Sequence, residues 1–410
     1  MRADWQIKNL SEVCQIKPPK KEAKELLSET DLVSFVPMTY LGIRQKELCL
    51  CEEKPLAKVV GSYTYFAEND VLLAKITPCF ENGKLGIARG LRNGVGFGSS
   101  EYIVFRSKGN IDPEYLFYFL SQDSFRDEGA KVMTGAVGHK RVPKEFIEDQ
   151  PIPLPSLAEQ QRIVATLDEA FTGIATATAN AEKNLQNARE LFESYLDSIF
   201  TKQDKGWITN RLIDLTTKIG SGSTPRGGEK SYKSKGISLI RSLNVHDRRF
   251  TDRKLAFIDD EQAAKLSNVI VEKGDVLFNI TGASVARCCI VPNEYLPARV
   301  NQHVSILRPR PELLSTSFLC YLMTSKIYKD KLLGIGDEGG STRQAITKAQ
   351  LQNLEITIPG DLKQQNEIVH QLDVLSVEVL RLELIYKQKL NELTNLKQSI
   401  LKKAFAGELH

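Results

Sequence analysis

The sequence predicts an α/β (α+β) protein. Two β-rich globular domains are joined by two long helices forming an antiparallel coiled coil, with an internal pseudo-two-fold repeat. Three observations predict it. The 410-residue chain is written twice. Each copy opens on short apolar runs broken by Gly, Pro and Asn. Each copy closes on a long segment with a heptad seam.

The repeat sets the domain count. Trp5-Gln-Ile-Lys-Asn-Leu10 recurs at Trp207–Leu212, and Val33-Ser-Phe-Val36 at Ile237–Ile240. Glu68–Leu73 recurs at Glu272–Phe278 with one residue added, and Ile76-Thr77-Pro78 at Ile280-Thr281-Gly282. Glu101–Arg106 recurs at His303–Arg308, Ile152–Pro155 at Ile356–Pro359, and Gln160–Val164 at Gln365–Val369. Seven matches keep one order, with offsets between 202 and 205, which is too long a period for a solenoid unit. Each copy is therefore a domain with an appendage. The expected divisions are 1–155, a helix over 156–203, 204–359, and a second helix over 360–410.

Within each domain, Val71-Leu-Leu73, Tyr102–Phe105, Val276–Phe278 and Val304–Leu307 read as strands. Pro113–Leu120 reads as a helix with Pro at its start, and Ser317–Tyr328 as another. Ser156 with Glu159 forms a capping-box signal for the first long helix, which runs to about Lys202. Gly360-Asp361 opens the second, which runs to about Ala406 and stops at Gly407.

The first seam is Ile163, Leu167, Ala170, Ile174, Ala177, Ala181, Leu185, Ala188, Phe192, Tyr195 and Ile199. Adding 205 gives the second: Ile368, Leu372, Leu375, Val379, Leu382, Tyr386, Leu390, Leu393, Lys397, Ile400 and Ala404. Both break the alternation of threes and fours at the same step, and Lys397 is the only charged member. About 45 residues of helix span about 68 Å, far beyond an ordinary globular helix. A compact chain requires the second helix to run back along the first. Such a pair makes a caliper, suited to reading two short half-sites across an unread spacer.

Composition narrows the class. Hydrophobic content is 41% and charged content 26%, as in ordinary globular proteins. No run is long and apolar enough to span a membrane, and the N-terminus carries no signal-peptide pattern. The seven cysteines, odd in number and without a CxxC, are expected to be reduced thiols of a cytoplasmic protein. Net charge is only +4, but residues 201–255 carry 13 Lys/Arg against 5 Asp/Glu.

Enzyme signatures are lacking. The Gly220–Ser231 segment resembles a phosphate loop but places Gly228 where the lysine belongs. There is no Asn/Asp-Pro-Pro-aromatic motif of amino-methyltransferases. The five histidines form no triad or metal cluster. The expectation is therefore no catalytic residue and no metal site in this chain.

Several motifs together carry a resemblance. They are Ile152–Pro155 followed by Glu159-Gln-Gln-Arg-Ile163, Ile356–Pro359 followed by Gln364-Gln365, and the ending Ser399–Leu409. Lys273-Gly-Asp-Val-Leu277 and Gly222-Ser-Thr-Pro225 add to them. Over essentially its whole length the chain resembles the specificity (S) subunits of Type I restriction-modification systems. The second copy departs in having Lys363-Gln-Gln-Asn-Glu367 in place of the Glu-Gln-Gln-Arg core.

The resemblance implies two target-recognition domains, each reading half of a bipartite site in double-stranded DNA. It implies helices that set the spacer and dock two methyltransferase (M) subunits, and a full complex with restriction (R) nuclease-translocase subunits. S-adenosylmethionine, ATP and Mg²⁺ would then belong to those partners, with no cofactor in this chain. The competing readings are a coiled-coil adaptor holding two ligand-binding domains, and a nuclease with a scattered acidic site.

Candidate DNA contacts are polar and basic residues of loops beside predicted strands. In the first domain they are Thr39, Tyr40, Lys75, Thr77, Asn82, Lys84, His139, Lys140 and Arg141. In the second they are Ser223, Thr224, Arg226, Arg241, Asn244, Thr281, Ser284, Gln302, Thr342, Arg343 and Gln344.

Overall fold

The computed structural model describes residues 5–202, 206–334 and 345–409. The chain divides into two compact units: residues 1–182 with 388–410, and residues 183–387.

Unit 1 contains strands β1 (Gln6–Asn9), β2 (Cys14–Ile16), β3 (Leu32–Val36), β4 (Glu52–Pro55), β5 (Thr64–Ala67), β6 (Val71–Ala74), β7 (Leu85–Ile87), β8 (Val95–Gly98), β9 (Tyr102–Ser107) and β10 (Pro151–Leu154). Two four-stranded sheets result, ordered β2-β9-β6-β7 and β4-β3-β8-β5, with a β1-β10 ribbon. All pairs are antiparallel except β3 with β8. Helix α1 (Pro113–Leu120) starts where the sequence predicts. The Asp112 carboxylate accepts the Glu114 and Tyr115 N–H groups, and Pro113 needs no partner there.

Unit 2 repeats the plan. Its strands are β11 (Trp207–Arg211), β12 (Thr216–Ser221), β13 (Ile237–Ile240), β14 (Val245–His246), β15 (Arg249–Phe250), β16 (Ala256–Ile258), β17 (Ile270–Val271), β18 (Val276–Asn279), β19 (Cys288–Ile290), β20 (Ala298–Val300), β21 (Val304–Pro309) and β22 (Glu355–Pro359). The sheets are β12-β21-β18-β19 and β16-β13-β20-β17, with a β11-β22 ribbon. Position for position this is the order of unit 1, and β13 with β20 is again the parallel pair.

The long helices are α2 (Leu157–Thr201) and α4 (Leu362–Ala406), with the shorter α3 (Thr316–Thr324) between them in sequence. The Ser156 hydroxyl accepts the Glu159 N–H at 3.3 Å, as the capping signal requires. Gly407 takes a positive φ of 74°, the conformation that ends a helix most cheaply in glycine. In unit 1, Ile163 and Leu167 of α2 share a buried core with Leu401, Ala404 and Phe405 of α4. In unit 2, Phe192, Leu196 and Phe200 share one with Leu372 and Val379. Within each unit the helical segments run antiparallel. Arg162 reaches Leu409 while Phe171 meets Lys397, and Arg189 pairs with Glu383 while Tyr195 meets Gln371.

Three sequence expectations are corrected. The predicted Ser317–Tyr328 helix is two helices, Thr316–Thr324 and Lys326–Leu333, because Ser325 leaves helical ψ at 149°. Its buried hydroxyl instead donates to the Leu322 carbonyl, the local competition that makes serine a helix breaker. Late in α2 Leu196 and Phe200, outside the predicted seam, are the most buried at 0% and 1% exposed, against 38% for Tyr195, while Ile199 still packs against the same core. A straight helix drifts off a strict heptad, and the tyrosine hydroxyl finds Gln371. Finally, Cys49 and Cys51 form a disulfide, leaving Cys14, Cys79, Cys288, Cys289 and Cys320 as the free thiols.

The repeated Asp-Val motif has a clear physical role. Asp70 and Asp275 are 1% and 0% exposed. Asp275 accepts two hydrogen bonds from the Arg308 guanidinium at 2.7 and 2.9 Å, and the Glu272 N–H at 2.7 Å. Asp70 does the same with Arg106, at 2.8 and 2.7 Å, and with the Ala67 N–H at 2.7 Å. Each pair fastens the turn before the central strand (β6 or β18) to the strand beside it (β9 or β21).

Candidate nucleic-acid interface

In unit 2 a cleft of about 790 Å³ opens between three loops. One follows β18, one leads from β13 into β14, and one continues beyond β15. Asn279, fully buried at the end of β18, holds the first two together. Its amide nitrogen donates to the Ser242 carbonyl at 2.9 Å, the Val245 carbonyl at 3.3 Å and the Ser284 hydroxyl at 3.1 Å. This scaffolding role is invisible in sequence, where Asn279 reads only as the residue that follows the Val276–Phe278 strand.

The cleft's electrostatics are one-sided. Arg249, Arg253, Lys254 and Arg287 line it, with His246 and His303, and no Asp or Glu is among its lining residues. Elsewhere in this unit arginines are commonly answered by carboxylates: Arg248 by Glu193, Arg308 by Asp275, Arg211 by Asp214. Cations that meet no carboxylate among the described residues, set around one concave surface, favour an external polyanion.

Of the sequence candidates, Thr281 and Ser284 line this cleft. Thr281 Oγ bonds His303 Nδ1 at 2.5 Å, and the Gln302 amide nitrogen lies 3.2 Å from His303 Nε2. With that amide donating to Nε2, the ring proton sits on Nδ1. Gln302 Oε1 accepts from the Thr224 hydroxyl at 2.5 Å, so Thr224, Gln302, His303 and Thr281 form one chain.

Ser223, Thr224 and Arg226 line a neighbouring hollow that also contains Asp259 and Glu261. Gly222 precedes them because a side chain there would meet the Val300 carbonyl at 1.8 Å. Arg241 is engaged internally, with Glu229 at 2.9 Å and the Lys254 carbonyl at 2.6 Å. Asn244 is fully buried. It accepts the Arg241 N–H and donates to the Thr251 and Arg253 carbonyls. Thr342, Arg343 and Gln344 lie outside the described residues.

In unit 1 the candidates fall into two groups. Lys75, Thr77, Lys140 and Arg141 come together through Thr77 N–H to the Lys140 carbonyl and an Ile76–Arg141 bridge, with His139 exposed beside them. Burial holds the Lys75 ammonium below its ordinary value. Arg141 grips Glu101 with both ends, at 2.9 and 2.8 Å, and lowers that carboxyl's pKa. Thr77 donates to Glu81 at 2.8 Å. The second group is Thr39, Tyr40 and Lys84, with the Lys84 ammonium on the Met38 carbonyl at 2.6 Å. Asn82 lies on the turn joining the two groups, its N–H on the Pro78 carbonyl.

Sequence reasoning missed Arg249, Arg253, Lys254 and Arg287. The local excess of positive charge pointed to the first three. Arg287 carried no signal, since only the sheet brings it beside them. Among the described residues no cluster of His, Cys, Asp and Glu is arranged to hold a metal ion, and no helix is long and apolar enough to cross a membrane.

Comparison with known proteins converges on one family. Residues 2–186 and 204–395 each match the Type I restriction modification DNA specificity domain. The Type I restriction enzyme EcoAI specificity subunit of Escherichia coli is 32% identical over 480 aligned residues, covering 93% of this chain and 79% of that protein. The EcoEI specificity subunit of Escherichia coli is 34% identical over 223 residues, covering 48% of this chain and 37% of that relative's length. Among solved structures, a chain from a study of assembly and conformational transition of the type I R-M system superposes with a TM-score of 0.81 at 22% identity. It covers 100% of this chain and 99% of that one. The HsdS subunit from Thermoanaerobacter tengcongensis gives 0.66 at 22% identity, with 100% and 98% covered. With both copies of the repeat matched, the chain belongs to the Type I restriction-modification DNA specificity family.

Proposed function

We propose that this chain selects the DNA sequence for a Type I restriction-modification complex and performs no chemistry itself. Residues 1–155 and 204–359 act as target-recognition domains, each reading one half of a split site, and the segments 156–203 and 360–410 set the spacer between the halves. The observation that carries the reading is the unit 2 cleft. Four cations with no acidic residue among the lining sit beside Thr281 and Ser284, at the ends of strands that bury the rest of the domain. Such a surface suits a phosphate backbone, with hydroxyl and guanidinium groups facing base edges.

The remaining roles belong to partners. Two methyltransferase subunits dock on the helical segments and bring S-adenosylmethionine, while restriction subunits bring ATP and Mg²⁺. The complex works in the cytoplasm, where its DNA is. Methylation mapping tests the proposal, in cells carrying the neighbouring methyltransferase with and without this chain. The expected result is a split motif methylated on adenine in both halves, lost when this chain is deleted. An unchanged pattern with an active methyltransferase would favour the adaptor reading instead.

A further inference from the structure

The repeat supplies an internal control for one cavity. In unit 1 a cavity of about 270 Å³ is lined by Arg44, Lys46, Asp168, Phe171, Lys397 and Gln398 among others. Shifted by 204 or 205 positions, Arg44 becomes Arg248, Phe171 becomes Ser376, Ala175 becomes Leu380, Lys397 becomes Phe192 and Gln398 becomes Glu193. All five of those residues line the equivalent cavity of unit 2.

The two copies differ in charge. In unit 2 the Arg248 guanidinium lies 4.7 Å from the Phe192 ring centroid and donates to Glu193 at 2.6 Å. Arg189, Arg248 and Arg249 there face Glu193, Asp247 and Glu383. In unit 1 the ring sits on the other helix, Phe171 standing where unit 2 has Ser376, and Lys397 takes the place of Phe192. The Lys397 ammonium lies 4.8 Å from the Phe171 centroid. The place of Glu193 is taken by neutral Gln398, whose carbonyl accepts the Asp123 N–H at 3.2 Å.

The acids near this cavity are already engaged. Asp123 binds Arg44 and Arg126, Glu114 binds Lys46 and Arg89, and Asp168 binds Lys46 and Tyr118. Lys397 has no carboxylate partner among the described residues. Burial, and the Arg44 charge beside it, hold its ammonium below the ordinary lysine value.

The cavity adjoins the candidate loop of unit 1. The Arg44 N–H donates to the Gly83 carbonyl at 2.9 Å, between Asn82 and Lys84. In unit 2 the equivalent cavity shares His246 and Arg249 with the basic cleft. An anion arriving on a surface continuous with these loops is a phosphodiester. We propose that Lys397 takes a DNA backbone phosphate in unit 1, at the position where unit 2 keeps its own carboxylate. The inference rests on the reading of this chain as a DNA-specificity subunit. Lysine suits the role as a mobile point charge needing no fixed fork geometry. A phosphate contact fixes position and carries no sequence information.

The test uses the assembled complex of this chain with its methyltransferase subunits. DNA affinity is measured against salt for the unaltered chain, Lys397→Ala and Gln398→Glu. Gln398→Glu installs the acid of unit 2 while keeping an oxygen for the Asp123 N–H, and so serves if Lys397→Ala fails to fold. Both variants are expected to bind several-fold more weakly at low salt. The slope of log affinity against log salt should fall by about 0.9, one phosphate's share. The methylated sequence should stay the same. Unchanged slopes in both variants would overturn the assignment, and so would a changed motif. Loss of affinity for the methyltransferase with an unaltered DNA slope would overturn it in favour of an acidic group on the partner. If the unaltered complex shows no salt-dependent DNA binding, the function reading fails and takes this inference with it.

Discussion

The Gln160 side-chain carbonyl accepts the backbone N–H of Asp112 at 2.8 Å, joining the first turn of α2 to the residue that caps α1. Its amide nitrogen donates to the Asn110 and Pro155 carbonyls at 3.1 and 2.9 Å. Gln365 repeats all three bonds, to the Ser315 N–H and the Leu313 and Pro359 carbonyls, at 2.9, 3.0 and 3.0 Å. Both glutamines are 0% exposed. They are the residues that the two copies of the Gln-Gln motif hold in common, and each locks a long helix to its own domain.

Gln160→Ala is therefore expected to destabilise unit 1 by about 2–4 kcal/mol, because it leaves buried backbone groups unsatisfied. Gln160→Glu should cost at least as much, since a carboxylate would face two carbonyls. Gln365 should behave alike in unit 2. Urea unfolding followed by hydrogen exchange in each unit checks this. Equal protection in variant and parent would contradict it.

The buried Asp70–Arg106 and Asp275–Arg308 pairs give a second prediction. Asp275→Ala leaves the Glu272 N–H without its buried acceptor and Arg308 with the Glu272 carboxylate alone, and should cost about 1–3 kcal/mol. Asp275→Leu with Arg308→Met should recover most of that loss. A double variant no more stable than the single would show that the turn bond to the Glu272 N–H dominates.

The cleft predicts a separation of the two half-sites. Arg287→Ala or Arg253→Ala should relax base choice in one half only. An arginine that reads a base contributes about 1–3 kcal/mol of discrimination, whereas one on phosphate weakens binding evenly across sequences. Methylation mapping distinguishes these. Loss in both halves at once would mean general damage instead.

Arg141 offers a pH-dependent prediction. Its hydrogen bonds lower the Glu101 pKa. A depressed carboxyl stabilises the fold above its unfolded pKa, and that contribution is lost as pH falls through its lower folded value. Arg141→Ala should therefore return the Glu101 titration, read by NMR, to the ordinary glutamate range. Glu101→Gln should free Arg141 and raise non-specific DNA affinity at low salt. A Glu101 titration unmoved in Arg141→Ala would show that the Lys75 charge, not Arg141, holds it down.

By itself the sequence determined the repeat, the paired helices, the cap at Ser156, the proline start at Pro113, and the loops in which contacts were sought. These signals are local or periodic: a heptad, a capping spacing, a motif recurring about two hundred residues on. Only the tertiary structure decided which polar residues remain available. Arg141 is bound by Glu101, 40 residues away, and Asn244 by carbonyls across a turn, while Arg249, Arg253 and Arg287 reach one cleft with no acid among its lining. Loop composition looks the same in both cases. Whether a cation meets its counter-charge depends on which distant strands lie side by side, and a linear pattern does not record that.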